Sequence, residues 1–127
     1  MPTILAANES SVLVDGKAID GIQSIEYRRQ EVRSNVYALG SSERIGVVSG
    51  ASSVEGSLTV ASTSPALDGL DPEKPFQISA QLKHGDTHIT VTFDECFMEE
   101  KEFRLAVGIH GEAVYNFSAA RVRQETQ

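Results

Sequence analysis

The feature that most constrains the fold is a strict period of two in the middle of the chain. Apolar and polar residues alternate without a break over residues 76–83, and the alternation resumes over residues 89–94. Such alternation gives a strand one face in water and one face in a core. A glycine-containing triplet, residues 84–86, separates the two runs and favours a tight turn. The sequence therefore predicts a β-hairpin across residues 76–94.

A second pair of alternating runs lies towards the C-terminus. Apolar residues recur at every other position over residues 103–109 and again over residues 113–119, on either side of His110 and Gly111. This pattern predicts a turn at the glycine and two long strands between residues 101 and 123.

Two shorter segments also have strand patterns. Residues 54–60 alternate, and residues 11–14 form a short apolar opening strand. Asp15 and Gly16 follow that opening strand, and an Asp-Gly pair is typical of a two-residue hairpin turn.

One short helix is predicted between these strands. Ser64 is a good N-cap and Pro65 fits the first helical position. The helix must end before Pro72, whose ring disfavours a helical conformation in the preceding residue. Leu67 and Leu70 lie three apart and share a face, so this turn is expected to plug one open end of the β body.

Residues 22–33 are compatible with a strand, but their distal half is polar on both faces. A strand without an apolar face does not belong wholly in a core. The following residues, 34–53, are rich in Gly and Ser. Together these segments predict a long extended arm or loop, approximately residues 28–50, that projects from the body and becomes ordered against a neighbour.

Length and composition are those of an ordinary packed domain. The chain has 127 residues, of which 40% are hydrophobic and 23% are charged. We therefore expect a single domain over residues 1–127. The predicted fold class is mostly β (α+β): an antiparallel β-sandwich or barrel with one short flanking helix and the long arm.

Charge and hydropathy argue against tight binding to nucleic acid and against association with a membrane. The net charge is −7, which opposes tight binding to nucleic-acid phosphates or to anionic lipid headgroups. No apolar run approaches the roughly 20 residues that a membrane-spanning helix needs. The single cysteine, Cys96, has no internal partner for a disulfide, so a reducing cytoplasm is the default compartment.

Little in the sequence indicates a catalytic site. The candidate groups are three histidines and one thiol, and His84 and His110 fall in or beside predicted turns, where a pKa is seldom shifted. His88 shares the predicted wet face of its strand, and Cys96 follows two carboxylates that disfavour a reactive thiolate. Neither a metal-ligand spacing nor a glycine-rich phosphate loop is present. We expect no enzyme activity, no cofactor and no metal site.

The order of these elements is familiar. A short strand ends in Val14-Asp15-Gly16, a polar arm contains residues 37–40, residues 50–56 return, and a small helix precedes the paired hairpins. This order resembles the tail-tube proteins of contractile and long-tailed phages and of related injection systems, including type VI secretion. The resemblance implies hexameric rings that stack into a tube for DNA or effectors. It also implies a virion tail assembled in the host cytoplasm, with sheath, baseplate and terminator proteins as partners.

Opposite charges are segregated along the chain, and this has two interpretations. The clusters are two solvated faces, or they meet across a subunit boundary. In a tube subunit the arm would reach an adjacent copy and its arginines would pair with the acidic segment. The residues of this expected inter-subunit contact are Arg28, Arg29, Arg33 and Arg44 on one side and Asp94, Glu95, Glu99, Glu100 and Glu102 on the other.

Two alternatives remain at this point. The chain is short enough to be a tube-initiating or baseplate ring protein of the same kind of tail. A small β-barrel binding module is the other alternative. The chain has no Trp and only eight aromatic residues, which argues against an interior ligand cavity.

Overall fold

The computed structural model describes the backbone of residues 6–126 and the side chains of residues 10–126. Antiparallel strands dominate this part of the chain, and one short helix interrupts them, so the predicted fold class is confirmed. The elements are β1 (Ala6–Val14), β2 (Lys17–Ala18), β3 (Ile22–Tyr37), β4 (Arg44–Ala61), α1 (Pro65–Asp68), β5 (Phe76–His84), β6 (Thr87–Arg104), β7 (Glu112–Ala119) and β8 (Arg121–Thr126).

The long strand β6 organises the sheet, whose order is β2-β1-β5-β6-β7-β4-β3. Its first half pairs with β5 on one edge and with β8 on the other. Its second half pairs with β7, which continues into β8 along the same edge after the single residue Ala120. The sheet does not close into a barrel. The architecture is therefore the open, sandwich form of the predicted class.

The sheet bends where β6 passes from its first half to its second. Glu95 lies there with a φ of 52°, in the left-handed region that non-glycine residues rarely adopt. The pairing with β5 shifts register at the same point, between Phe76 and Ile78. Phe93, which precedes the bend, packs edge-on against Phe117 of β7, the strand that pairs with the second half of β6, and their ring centroids lie 5.3 Å apart. The two halves thus face each other across one core.

The core draws its side chains from both halves of the sheet. Its largest fully buried members include Tyr115, Phe93, Phe117 and Leu58. Cys96 is buried among them, as expected for a core or strand-end residue, and its thiol donates to the carbonyl oxygen of Phe93 at 3.3 Å. Burial, with a smaller contribution from nearby Asp94, raises the pKa of Cys96 to about 12. The thiol is therefore inert at neutral pH.

Two of the predicted turns are confirmed. The hairpin of β5 and β6 turns at Gly85, whose φ is 58°, and its strands pair in the predicted alternating register. Asp15 and Gly16 both have positive φ and join β1 to β2, as a two-residue hairpin turn requires.

The predicted helix is confirmed at its N-terminus, and it ends at Asp68, before Pro72. The Ser64 hydroxyl accepts a hydrogen bond from the Leu67 N–H, and Pro65 is the first helical residue. The Tyr115 hydroxyl accepts from the Ser64 N–H at 3.1 Å, which ties the cap to the core. Lys101 donates to Asp68 at 2.7 Å from the neighbouring strand. Among residues 6–126 no helix is long and apolar enough to cross a membrane.

The prediction for the second hairpin is wrong at its turn. The first strand ends at Arg104, so residues 105–111 form a loop instead of a continued strand with a tight turn at His110 and Gly111. Residues 105–109 alternate like a strand, but the segment lacks a pairing partner in the described chain, and Gly108 adopts a φ of 87°. The return strand was predicted correctly, although Ala120 divides it into β7 and β8.

Candidate assembly surface

The predicted arm is a two-stranded β-ribbon formed by the distal parts of β3 and β4. The sheet partner of β4 is β7, and that pairing begins only at Val54. Residues 30–53 therefore project past the body as a ribbon, roughly 30 Å long at about 3.3 Å per residue. We name this segment the ribbon. Its backbone forms a ladder although its side chains are mostly polar or small, so the predicted extended arm or loop is an ordered hairpin.

No side chain of the ribbon is buried. Beyond Arg29 both faces and both edges of the hairpin lack a neighbour within the described chain. An isolated two-stranded hairpin is marginally stable in water, because it has no third strand or packed face. The ribbon also exposes apolar side chains, and these are Val32, Val36, Tyr37, Leu39, Ile45, Val47 and Val48. Such a surface is typical of a segment that is covered by a partner.

The arginines of the predicted contact lie on different faces of the hairpin. Arg28 lies on the face that points away from the core and forms an exposed ion pair with Glu55 at 3.2 Å. Arg29 and Arg33 lie on the opposite face, and both pair with Glu31. Arg44 near the tip donates to the side chain of Asn35 at 3.1 Å, on that same opposite face.

Asp94 differs from the other predicted acidic residues because its carboxylate is almost buried. Oδ2 accepts hydrogen bonds from Nε of Arg121 at 2.8 Å and of Arg123 at 2.7 Å, and Oδ1 accepts from Gln77. These bonds, that from Arg123 first, hold the pKa of Asp94 well below its ordinary value. We name this group the Asp94 clamp. It fastens β8 to β6 within one subunit, so Asp94 already has partners in its own chain.

We expect Asp94→Asn to destabilise the fold by roughly 2–3 kcal/mol at pH 7, because charge-assisted bonds to both arginines are lost. Urea unfolding of the two proteins measures this difference. A carboxyl whose pKa is depressed in the folded state stabilises the fold above its unfolded pKa, and the contribution is lost as the pH falls. The gap between wild type and variant should therefore narrow below about pH 4. A gap that stays constant down to pH 2 would contradict the clamp.

The remaining acidic residues of the predicted contact are exposed. Glu95 lies at the bend of β6. Glu99 accepts a hydrogen bond from Ser118 at 2.6 Å, and Glu100 and Glu102 lie opposite residues of β7 that point away from the core. Of the four arginines, Arg28 alone shares this outward face, because the register places Arg29, Arg33 and Arg44 on the other side.

The outward face of the four strands β3, β4, β7 and distal β6 is strongly acidic. A shallow open depression of about 700 Å³ lies on it, lined in part by Glu26, Glu55 and Glu99. Cross-strand pairing places six glutamates and two arginines on this face, and they are Glu26, Glu55, Glu99, Glu100, Glu102, Glu112, Arg28 and Arg104. We name it the acidic face.

The sheet that these four strands form has two open edges, one along β3 and one along the second half of β6. Within residues 6–126, no strand pairs with the outer edge of β3. Within the same residues, the second half of β6, residues 97–104, pairs with β7 on one edge only, since β5 begins opposite Cys96. Open edges of this length are templates for pairing with another chain. The edge of β3 carries Arg28, and the edge of β6 carries Glu100 and Glu102.

The candidate catalytic groups do not form a site. His84 lies at the end of β5, and His110 lies in the exposed 105–111 loop, where it contacts the Gln23 side chain at 3.2 Å. His88 is half-buried near the start of β6. Cys96 is sealed in the core. His88 and Cys96 both belong to β6 but lie eight residues apart along it, whereas His84 and His110 belong to β5 and to the loop.

The sequence did not identify Arg121 and Arg123 as the partners of Asp94 in the Asp94 clamp. They are separated by one residue and therefore point to the same side of a strand, which was the available signal. Their partner Asp94 was instead grouped with its acidic neighbours in sequence. No sequence pattern indicated the open edge of β6, because that edge depends on where the pairing between β5 and β6 stops.

The sequence matches no protein-family model and no curated protein. Solved structures do match the fold. A chain of the PVC extracellular contractile injection system, from its sheath-tube complex in the extended state, aligns with a TM-score of 0.71 and 12% identity over 98% of this chain and 93% of that one. The SPP1 tail tube aligns with a TM-score of 0.71 and 13% identity over 98% of this chain and 80% of that one.

A third solved structure also matches the fold. Hcp1 from Flavobacterium johnsoniae aligns with a TM-score of 0.61 and 15% identity, over 93% of this chain and 97% of that one. The three alignments span 93–98% of this chain, so they include the ribbon and both halves of the sheet. The chain has the fold of the tube proteins of phage-like tails and contractile injection systems.

Proposed function

We propose that this chain is a structural subunit of a phage-like tail tube, in which copies form rings that stack into a conduit. The observation that carries the proposal is the ribbon, a two-stranded hairpin with exposed apolar side chains and with no neighbour on either face among residues 6–126. Such a segment is marginal in a monomer and is stabilised by contacts between copies. The fold shared with tube proteins supports the same role.

The ring closes when the open edge of β3 in one copy pairs with the open edge of β6 in the next. This heterologous contact uses two different surfaces, so it repeats in one direction and removes both free edges when the ring closes. Arg28 then faces Glu100 and Glu102 across the junction, on the acidic face. The inter-subunit contact predicted from sequence is thus narrowed to one arginine and the glutamates of β6.

Six copies are the proposed stoichiometry. Two of the similar structures come from assemblies described with sixfold symmetry, namely the anti-feeding prophage baseplate and the tail of a gene transfer agent particle. Four strands from each of six copies give a barrel of twenty-four strands. Strand spacing and a tilt near 40° set its diameter at roughly 40–50 Å between backbones, which leaves an open channel.

The acidic face lines the conduit in this arrangement. A wall that carries an excess of carboxylates repels DNA phosphates, so DNA would pass without tight binding. No catalytic step and no cofactor is part of the proposal. The expected partners beyond other copies are sheath, baseplate and terminator proteins of a virion tail assembled in the host cytoplasm.

The proposal is tested on the purified protein by size-exclusion chromatography with light scattering, followed by negative-stain imaging. We expect rings or tubes of common bore, with a mass of six chains per ring. A monomer that persists at high concentration would contradict the proposal and favour a small binding module.

A second candidate function is a terminator or initiator ring of the same kind of tail. A chain of the anti-feeding prophage tube-terminating cap aligns as well as the tube structures, with a TM-score of 0.71 over 100% of this chain. The same images distinguish the two functions. A tube subunit stacks into tubes of many rings, whereas a terminator remains a single ring.

A further inference from the structure

The open edge of β6 carries an aromatic side chain that its own subunit leaves uncovered. Phe103 points to the core side of the sheet, because its cross-strand partner Ala113 is buried there. Its ring lies beside Gly111, yet Phe103 remains 55% exposed, since no strand of residues 6–126 lies beyond this edge to cover it. Much of the free energy that burial of the ring would provide is therefore unused in the monomer.

The open edge of β3 carries an apolar groove on the same side of the sheet. The groove has a volume of about 450 Å³ and lies between the start of β3, the loop that precedes it and strand β1. Ile22 and Ile25 of β3 pair with residues of β4 that are fully buried, which places both isoleucines on the core side. We name this feature the edge groove. Its apolar lining residues are Val12, Ile19, Ile22, Ile25 and Leu82.

The strand register places Phe103 and the edge groove at the same level. Phe103 pairs with Ala113, and Ala113 pairs with Val60. Val60 pairs in turn with Ile22, so one row crosses the four strands from Phe103 at one open edge to Ile22 at the other. When these edges pair between copies, the end of one row meets the start of the next. Strand tilt in a closed barrel shifts the rows by a few residues, and the groove extends along residues 19–25, so Phe103 stays beside it.

We propose that Phe103 of one copy inserts into the edge groove of the adjacent copy in the same ring. This inference rests on the proposed function and identifies the occupant of the groove as a second copy of this chain. Continuity with the junction supports that occupant, because Phe103 and the groove lie on the two edges that pair, on one side of the sheet and at one level. Backbone pairing between edges tolerates slippage, so the buried ring fixes the register of the junction and adds to its stability.

A photoreactive residue tests the contact in assembled rings. In one variant p-benzoylphenylalanine replaces Phe103, which keeps an aromatic side chain at that position, and in a matched control it replaces Phe97. Phe97 lies on the same open edge, but it pairs with Ser118 and points to the acidic face. Rings of each variant are irradiated, and the cross-linked peptides are identified by mass spectrometry.

The variant at residue 103 is expected to give covalent oligomers up to the closed ring, with cross-links to the residues that line the edge groove of a second copy. The control at residue 97 is expected to give no cross-link to those residues. Cross-links from residue 103 to another segment of the neighbour, or only to its own chain, would overturn the inference. The rings themselves would still support the proposed function, and the groove would be left to a different occupant.

Truncation of the side chain gives an independent readout. Phe103→Ala should raise the protein concentration at which half of the chains are in rings roughly tenfold, because burial of an aromatic side chain is lost at every junction. Phe103→Leu keeps an apolar side chain and should stay close to the wild-type concentration. Both monomers should unfold at the wild-type urea concentration, since Phe103 is more than half exposed. Phe103→Ala rings that form at the wild-type concentration would overturn the inference alone, whereas a wild-type protein that forms no rings would overturn the proposed function as well.

Discussion

Replacing Arg28 by glutamate is expected to abolish ring assembly and to leave the monomer folded. Arg28 and its partner Glu55 are both well exposed, so their ion pair contributes little to the fold. In the ring, the new carboxylate would face Glu100 and Glu102 of the neighbour. A like-charged cross-strand pair costs up to about 1 kcal/mol, and six such junctions lower the ring population roughly 10⁴-fold.

Arg29→Glu is the matched control for this experiment. It makes the same change in net charge one residue further along β3, but its side chain lies on the face away from the proposed junction. Light scattering at equal protein concentration compares the two variants. We expect Arg29→Glu to retain rings, and we expect Arg28→Glu combined with Glu100→Arg to recover them. Equal loss in both single variants, or loss in neither, would contradict the pairing of Arg28 with β6.

Substituting Gly56 by alanine is expected to destabilise the fold by about 3 kcal/mol or more, by overpacking the core. A Cβ at this position would lie 2.5 Å from Cζ of Phe117 and 2.7 Å from the carbonyl oxygen of Glu26. Neither neighbour moves easily. Phe117 is buried and packed against Phe93, and Glu26 belongs to the paired strand β3.

Gly46→Ala provides the control in the same strand. Its Cβ would meet nothing within 4 Å, and its backbone does not require glycine. We expect a change within about 0.5 kcal/mol for this exposed position. Urea unfolding monitored by circular dichroism measures both variants. A Gly56→Ala protein as stable as wild type would show that β3 and β7 are not held together across β4 as described.

The two variants also separate folding from assembly. Gly56→Ala acts within one subunit, so its monomer should unfold more easily before any ring is considered. Arg28→Glu acts between subunits, so its monomer should unfold at the wild-type urea concentration. Rings lost without loss of stability would therefore locate the defect at the junction.

Local patterns predicted the elements whose structure depends on nearby residues. The hairpin at Gly85 and the turn at Gly16 follow from alternation and from glycine's access to positive φ. The helix at Ser64 follows from a cap and a proline within a few residues. In each case the decisive interactions join residues that are close in sequence.

The predictions failed where pairing depended on distant strands. Alternation extended the second hairpin to residue 109, but the strand ends at Arg104, beyond which no strand of residues 6–126 pairs with it. The Gly- and Ser-rich segment after residue 34 was correctly predicted to be part of an extended arm, but the sequence did not indicate that its backbone pairs with β3 in a regular ladder. Backbone hydrogen bonds do not require a particular side chain, so composition is a weak guide there.

In the acidic segment, residues 94–102, the sequence likewise indicated the charge of each residue but not its contacts with distant strands. Sequence grouped Asp94 with its neighbours by charge, and its role between subunits remains a prediction. The fold brings Arg121 and Arg123 to its carboxylate from a strand that lies about thirty positions away. Glu100 and Glu102 keep their exposure, because they point to the outward face of the sheet.

The alternation of apolar and polar residues over residues 76–94 determined the β class, the central hairpin and the face of β5 that enters the core. Side-chain alternation is a local property with a fixed period, so sequence contains it fully. The open edges, the acidic face and the projecting ribbon were decided by the tertiary structure. They depend on which strands pair, where each pairing stops and how β6 bends at Glu95, and these are long-range events that no local pattern records.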